Sequence, residues 1–473
     1  MTFDVVSFAI GFQLVLKYFF VFCATVFLGL WFLGYSGKIL KSIYGFVDDG
    51  EVLKYSLLAT CLGIIVAVYW SFRVTKEAIF FDLVGKEYLP VAKMTTPLVL
   101  FVVLYFLGFV VDRIKKHRLF AIVCLSYGFV FSIIALMIKI NFPAIESAIF
   151  AFIPGRGIGW LFFWAVESLG GVIIGAVFWA FVSSTTKTES AKRGFPFVTL
   201  MAQVGFLLGP SFVVAFSVQL GNPNIILIMS ALLMLVPLII EFYMKVVPSH
   251  LHESDDAGTK KRKTGAWEGL RLIVTKPFLM GILVVSTVYE IVGTIIDYQF
   301  KVNALSVYVK EEYAAFMGIC AVCSALIGIS LALGGTSFFI RRLGVRFSLL
   351  LYPAVMGVVI FSVWLWPSLM GFFVAMMLVK ALSYAVNNPV KELLYLPTSK
   401  DVKMKAKGFI DGFGGKSAKS FGSIINSFIG KDMLMLLNVG SLISIVIILF
   451  WIVVGLAVGT KYDSLIKKNE ILE

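Results

Sequence analysis

The sequence predicts an all-α polytopic membrane protein, built as two six-helix halves with one extra N-terminal transmembrane helix. Three observations carry that prediction. Of 473 residues, 60% are hydrophobic and only 14% charged, and a mean hydropathy of +0.96 leaves too little polar surface to wrap one core in water. Apolar runs close to the ~20 residues that a spanning helix needs recur along the chain between polar turns. One long charged stretch, residues 249–276, divides those runs evenly once the first is set aside. The same composition excludes a disordered chain and a soluble nucleic-acid binder.

Thirteen spans are expected. The first covers residues 7–34 and, with its connector, fills residues 1–50. No Lys or Arg precedes it and no small-residue cleavage site follows, so it reads as an anchor helix and not as a removed signal peptide. Five more begin near Leu53, Pro97, Leu119, Ile158 and Pro196, and a seventh runs from Asn224 to about Val247, giving an N-terminal half of residues 51–248. The central loop carries the run Lys260, Lys261, Arg262, Lys263. Six further spans, beginning near Phe278, Tyr313, Val345, Ser368, Lys407 and Met433, make a C-terminal half of residues 277–460, followed by a tail of residues 461–473. Two equal sets about a charged loop are the plan of a two-domain transporter.

Lys and Arg then orient the chain. One alternating set of loops holds 28 of them and the other eight, while Lys17, Arg73, Lys380, Lys416 and Lys419 fall within expected spans. Because cytoplasmic loops are enriched in Lys and Arg, the central loop and the tail are expected in the cytoplasm and the N-terminus outside. The net charge of +14 is thus a matter of topology and needs no nucleic-acid partner. In the loop after the third span, Gly108, Asp112, Arg113 and Lys116 resemble the G-x-x-x-D-R-x-G-R/K loop of major facilitator transporters, with Lys115 where that pattern has Gly. Arg341-Arg342-Leu343-Gly344-Val345-Arg346 looks like its degenerate second copy.

A lone ionised side chain at the bilayer centre costs at least ~2.5 to 3.5 kcal/mol, so each such charge needs a partner, a wet cavity or a purpose. Five places stand out. Arg73, Lys76 and Glu77 close the second span; Glu167 sits inside Gly159-Trp160-Leu161-Phe162-Phe163-Trp164-Ala165-Val166-Glu167. Glu290 and Asp297 are seven apart, hence on one helical face, with Lys301 a turn further. Lys380 lies within a span ahead of Lys391 and Glu392, and Asp411, Lys416 and Lys419 share a glycine-rich segment. Single lysines near helix ends, such as Lys93 or Lys301, are equally explained by snorkelling, and the deeper charges by internal ion pairs. Cations in both halves nevertheless point to an anionic substrate held at the interface of the halves, and the interleaved Tyr69, Trp70, Tyr289, Tyr298 and Tyr384 suit a flat ring beside a phosphate chain.

Enzymatic readings fail on spacing. Gly415-Lys416-Ser417 lacks the Gly that a phosphate loop needs at the place of Ile410. His117, His250 and His252 all lie in loops, and Cys320-x-x-Cys323 has no further Cys or His beside it. No catalytic residue, metal site or disulfide framework is expected. Gly171-x-x-x-Gly175 is expected to serve close helix packing.

The C-terminal half carries a longer pattern. Lys380-Ala381-Leu382-Ser383-Tyr384, Asn388-Pro389-Val390-Lys391-Glu392-Leu393-Leu394-Tyr395-Leu396-Pro397, Lys405-Ala406-Lys407 and Ile410-Asp411-Gly412-Phe413-Gly414-Gly415-Lys416 resemble the non-mitochondrial ATP/ADP translocases, nucleotide transporters of plastid envelopes and energy-parasitic intracellular microbes. Arg73-x-x-Lys76-Glu77, Trp164-Ala165-Val166-Glu167, Ala191-Lys192-Arg193, Tyr289-Glu290, Asp297-Tyr298 and Lys301 extend the likeness over residues 50 to 460. The sequence departs from the pattern at Gly194, where relatives have an aromatic, at Lys416 for Arg and at Ala418 for Gly.

The resemblance implies an ATP/ADP antiporter of major-facilitator-like fold. It places Lys76, Glu167 and Glu290 among the charges that move substrate, with Lys380 or Lys391 as a fourth. The full set of expected substrate residues is Arg73, Lys76, Glu77, Glu167, Glu290, Asp297, Lys301, Lys380, Lys391, Glu392, Asp411 and Lys416. ATP and ADP are then transported substrates, no cofactor is expected, and a monomer in the lipid bilayer of a cell (inner or plasma) membrane is the expected state. The alternatives are a proton-coupled nucleotide importer of the same fold and a non-transporting nucleotide sensor.

Overall fold

The computed structural model describes every residue except 1–3, 5–6, 9, 17–34, 112, 141–152, 249–250, 252–265, 400–401, 403–405, 408, 411–413, 431, 469 and 471–473. Helix α1 (Tyr35–Tyr44) leads to α2 (Asp49–Leu83). Asp48 caps α2 by accepting from the Glu51 backbone N–H at 2.6 Å, and Asp49 and Glu51 place negative charge on its positive end. Then follow α3 (Leu89–Val111), α4 (Lys116–Ile140), α5 (Gly157–Ser184), α6 (Thr188–Leu220) and α7 (Asn222–Val246). At 25 residues, α4 is about 37 Å long, enough to cross ~30 Å of hydrocarbon.

The second series is α8 (Ala266–Thr275), α9 (Pro277–Leu305), α10 (310–343), α11 (Gly344–Leu365), α12 (Leu369–Leu382), α13 (Asn388–Leu393), α14 (Gly415–Ile429) and α15 (Met433–Lys467). Gly344 separates α10 from α11 because its φ of 72° is open only to a residue without Cβ. Among the described residues ten helices are long and apolar enough to cross a membrane. The expected anchor helix lies largely outside the described residues. The span expected from Ser368 is interrupted. Between α12 and α13 the backbone widens into a π-helical turn, Ser383–Asn387, and Pro389 cannot donate to the preceding turn. Helix α14 begins at Gly415, after a stretch only partly within the described residues.

By packing the chain divides into two compact units, Met1–Lys86 with Leu98–Lys260 and Tyr308–Val322, and Glu87–Pro97 with Lys261–Val307 and Cys323–Glu473. In the first, α2 lies along α6 and α4 along α7. A Cβ added at Gly205 would stand 2.2 Å from the Gly63 carbonyl oxygen, and one at Gly209 2.2 Å from that of Ala67. Close approach of α2 and α6 therefore requires both glycines, and the Ser71 hydroxyl adds a 2.9 Å bond to the Gly209 carbonyl across the seam. The expected packing pair in α5 divides: Gly171 abuts Leu100, whereas a Cβ at Gly175 would meet only the Gly170 carbonyl, at 3.8 Å. Gly209→Leu is accordingly expected to abolish recovery of folded protein in detergent, while Gly175→Ala leaves it intact. Equal recovery of the two variants would show the seam to be loose. In the second unit α9 is central, packed on α14 and α15. Large apolar side chains such as Phe101, Leu238 and Val453 are exposed, as suits residues that face lipid.

Candidate functional site

In the first unit the expected charges converge. Lys76, on α2, is 2% exposed; its ammonium donates to Glu167 Oε1 of α5 and lies 4.4 Å from the centre of the Phe163 ring. A turn before it, Arg73 donates to the Tyr69 hydroxyl at 2.9 Å and its guanidinium stands 4.9 Å from the Trp70 ring. Glu77 is buried. The helical spacing of Arg73, Lys76 and Glu77 sets this group on α2, and a π-helical stretch in α5, Gly170–Phe178, begins three residues after Glu167. Such widened turns displace side chains from the regular helical register and recur at functional sites.

The second unit holds two separate groups. Asp297 receives Lys301, one turn further along α9, and Lys93 of α3 at 3.0 Å; Lys380 of α12 adds a third electrostatic attraction to the same carboxylate. Two turns back on α9, Glu290 accepts from the Tyr289 hydroxyl at 2.7 Å and pairs with Lys419 of α14 at 3.4 Å. Lys391 stands 4.2 Å from the centre of the Tyr289 ring. The sequence put Glu290 and Asp297 on one face as a single set; the structure gives each its own cations.

Beside Glu290 opens a cavity of about 520 Å³, lined by Ser286, Tyr289, Glu290, Asn388, Pro389, Lys391, Glu392, Tyr395, Ile410 and Gly415. That volume lies in the range of small-molecule sites. The two lysines left as alternatives now separate: Lys391 lines the cavity, and Lys380 belongs to the Asp297 group. Glu392 is bonded to Lys407 at 2.5 Å. Lys416 is exposed next to the cavity-lining Gly415, and Asp411 lies outside the described residues.

Two polar residues, Lys54 and Glu51, escaped the sequence reading, and a third was misplaced by it. Lys54, 1% exposed, donates to the carbonyls of Thr185 at 2.5 Å and Leu251 at 2.6 Å, which satisfies the otherwise open C-terminus of α5. Glu51 accepts from Arg193 at 2.8 Å and from Ser190 at 2.6 Å. Lys93 was expected to snorkel and instead meets Asp297. No group of three or more His, Cys, Asp or Glu able to hold a metal occurs among the described residues.

A nearly all-helical chain of apolar spans, with charged pairs drawn inward, is a multi-pass membrane protein, and its fold is major-facilitator-like. It matches the solved structure of the nucleoside transporter NupG with a TM-score of 0.59 at 12% identity, over 85% of this chain and 98% of that one. A bacterial homologue of the iron transporter ferroportin, in an inward-facing state, gives 0.59 at 13% identity over 87% and 100%. The chain belongs to the TLC ATP/ADP transporter family, whose family model matches residues 37–462. Chloroplastic ADP,ATP carrier protein 1 of Arabidopsis thaliana is 23% identical over 352 residues, 66% of this chain and 55% of that protein. The match thus spans about half the length of that relative. ADP,ATP carrier protein 1 of Rickettsia prowazekii (strain Madrid E) is 22% identical over 494 residues, 92% of this chain and 98% of that protein.

Proposed function

We propose that this protein is a nucleotide antiporter, exchanging ATP for ADP by alternating access with its basic residues holding the phosphates. The observation that carries this reading is the buried Lys76 on Glu167, an ion pair inside a membrane span. Its support comes from the carriers named above and from the Asp297 group, in which lysines outnumber the acid they share. Exchange follows from electrostatics. A carrier emptied of a polyanion holds excess positive charge, which is costly to close away from water, and the acids Glu167 and Glu290 offset part of it. A bound nucleotide neutralises the rest and lowers the barrier to reorientation.

We further read residues 51–248 and 277–460 as the two moving halves, in a cell (inner or plasma) membrane. The Lys and Arg distribution favours a cytoplasmic central loop and C-terminus with the N-terminus outside. The protein acts as a monomer, with ATP and ADP as its substrates and no cofactor. The test is uptake of labelled ATP into liposomes carrying the purified protein, with lumens preloaded with ADP, preloaded with ATP, or empty. Uptake confined to loaded vesicles is expected. Uptake into empty vesicles that follows an imposed pH gradient would replace the antiporter by a proton-coupled importer, and ATP binding without uptake would replace both by a sensor.

A further inference from the structure

One glycine of α5 sets the place of an aromatic ring on α2. A Cβ on Gly170 would stand 3.0 Å from two ring carbons of Tyr69, Cε2 and Cζ, and 3.3 Å from its hydroxyl oxygen, closer than ordinary van der Waals contact. The φ of Gly170 is −61°, right-handed helix that any residue adopts. Its backbone conformation therefore does not require glycine, whereas the space taken by the phenol does. Gly170 also opens the π-helical turn Gly170–Phe178, so the ring lies where α5 leaves its regular register.

The same hydroxyl accepts from Arg73 Nη1 at 2.9 Å. Helical side chains lean toward the N-terminus, over the preceding turn, which carries the Arg73 guanidinium back onto Tyr69 and Trp70. It stands 5.9 Å and 4.9 Å from their ring centres. Three residues before Gly170, Glu167 receives Lys76. Residues 167–170 of α5 thus address both cations of α2, Lys76 by charge and Arg73 through a phenol seated against a glycine. We infer that Tyr69 is the positioning residue for Arg73, and that Gly170 lacks a side chain so that Tyr69 can serve in this way. Arg73 and Lys76 then keep one spacing for the phosphates of the substrate. This rests on the nucleotide reading above. It gives Tyr69 a part other than the flat ring beside the phosphate chain that the sequence suggested.

The experiment compares Tyr69→Phe, Gly170→Ala and Arg73→Gln, singly and in pairs. ATP exchange in liposomes gives KM against maximal rate, thermal unfolding in detergent gives stability, and phenylglyoxal modification followed by peptide mass gives the access of reagent to Arg73. Tyr69→Phe keeps the ring and removes the acceptor. Its KM for ATP is expected to rise about tenfold, the scale of one hydrogen bond to a charged group, with maximal rate and unfolding temperature preserved. Gly170→Ala displaces the phenol by a few tenths of an ångström and should raise KM without loss of stability, since Ala favours helix over Gly. In the Arg73→Gln background neither substitution should shift KM by more than about twofold, because both act through the guanidinium. Phenylglyoxal should modify Arg73 faster in both variants. An unchanged KM in either single variant, losses that persist without Arg73, or unfolding temperatures that fall in step with exchange would each overturn the inference. Wild-type protein that exchanges no ATP refutes the antiporter, and Arg73 modification still decides the positioning: an unchanged rate in Tyr69→Phe refutes it.

Discussion

Lys76→Gln is expected to reduce ATP exchange at least about a hundredfold, and Lys76→Gln/Glu167→Gln to regain stability without regaining transport. Lys76 is 2% exposed, and its ammonium and the Glu167 carboxylate offset each other. Removing one member of a buried pair leaves the other charge uncompensated, at about 3–5 kcal/mol. The single variant should therefore unfold at lower temperature in detergent, and neutralising Glu167 as well should return most of that loss. Transport behaves differently if the cation also serves the phosphates, because the double variant still lacks it. Thermal unfolding and ATP exchange measured on the same preparations separate the two roles. Exchange that recovers in step with stability would show that Lys76 only packs helices.

The Lys76 group was legible in the sequence because its members on α2 are one turn apart and a charge inside an apolar run announces its own cost. Partners on distant helices were not legible in that way. Lys93 and Asp297 are separated by 204 residues, and nothing local to Lys93 distinguishes it from a lysine reaching for the membrane surface. Glu51 and Lys54 were hidden for another reason. They fall at the junction of a basic connector and the second span, where the charge count registers orientation and is blind to burial. Spacing on α9 was read correctly and over-interpreted: Glu290 and Asp297 share a face, yet two helical turns, about 10 Å, are enough for each to gather different lysines from different helices.

The interruptions of regular helix were equally invisible. The turns at Gly170–Phe178 and Ser383–Asn387 lie in continuous apolar sequence, and a π turn changes the register by one residue without altering composition. Their consequence is functional. The second one directly precedes Asn388, Pro389, Lys391 and Glu392, four of the residues that line the cavity, so the altered register contributes to which side chains of that motif turn inward.

Asp297→Asn should have a large effect on folding. Its carboxylate is shared by Lys301 and Lys93 and acts on Lys380 as well, so neutralising it removes an anion common to three cations on three helices. Lys301 is 7% exposed, and an ammonium that loses an offsetting charge in a membrane span costs at least ~2.5 to 3.5 kcal/mol. A single substitution of that size can consume much of a domain's net stability of about 5–15 kcal/mol. Asp297→Asn is accordingly expected to cut the yield of folded protein severely, and Asp297→Glu to preserve it. Asp297→Asn/Lys301→Met, which removes a cation together with the anion, should recover a large part of the yield. Monodisperse protein after gel filtration in detergent is the measurement. If Asp297→Asn folds as well as wild type and loses only transport, the carboxylate serves the substrate cycle and the three lysines are held by other means. The sequence put Asp297 and Lys301 in the expected substrate set. The geometry instead makes their first duty the joining of α9 to α3, and transport by the rescued double variant decides whether they have a second.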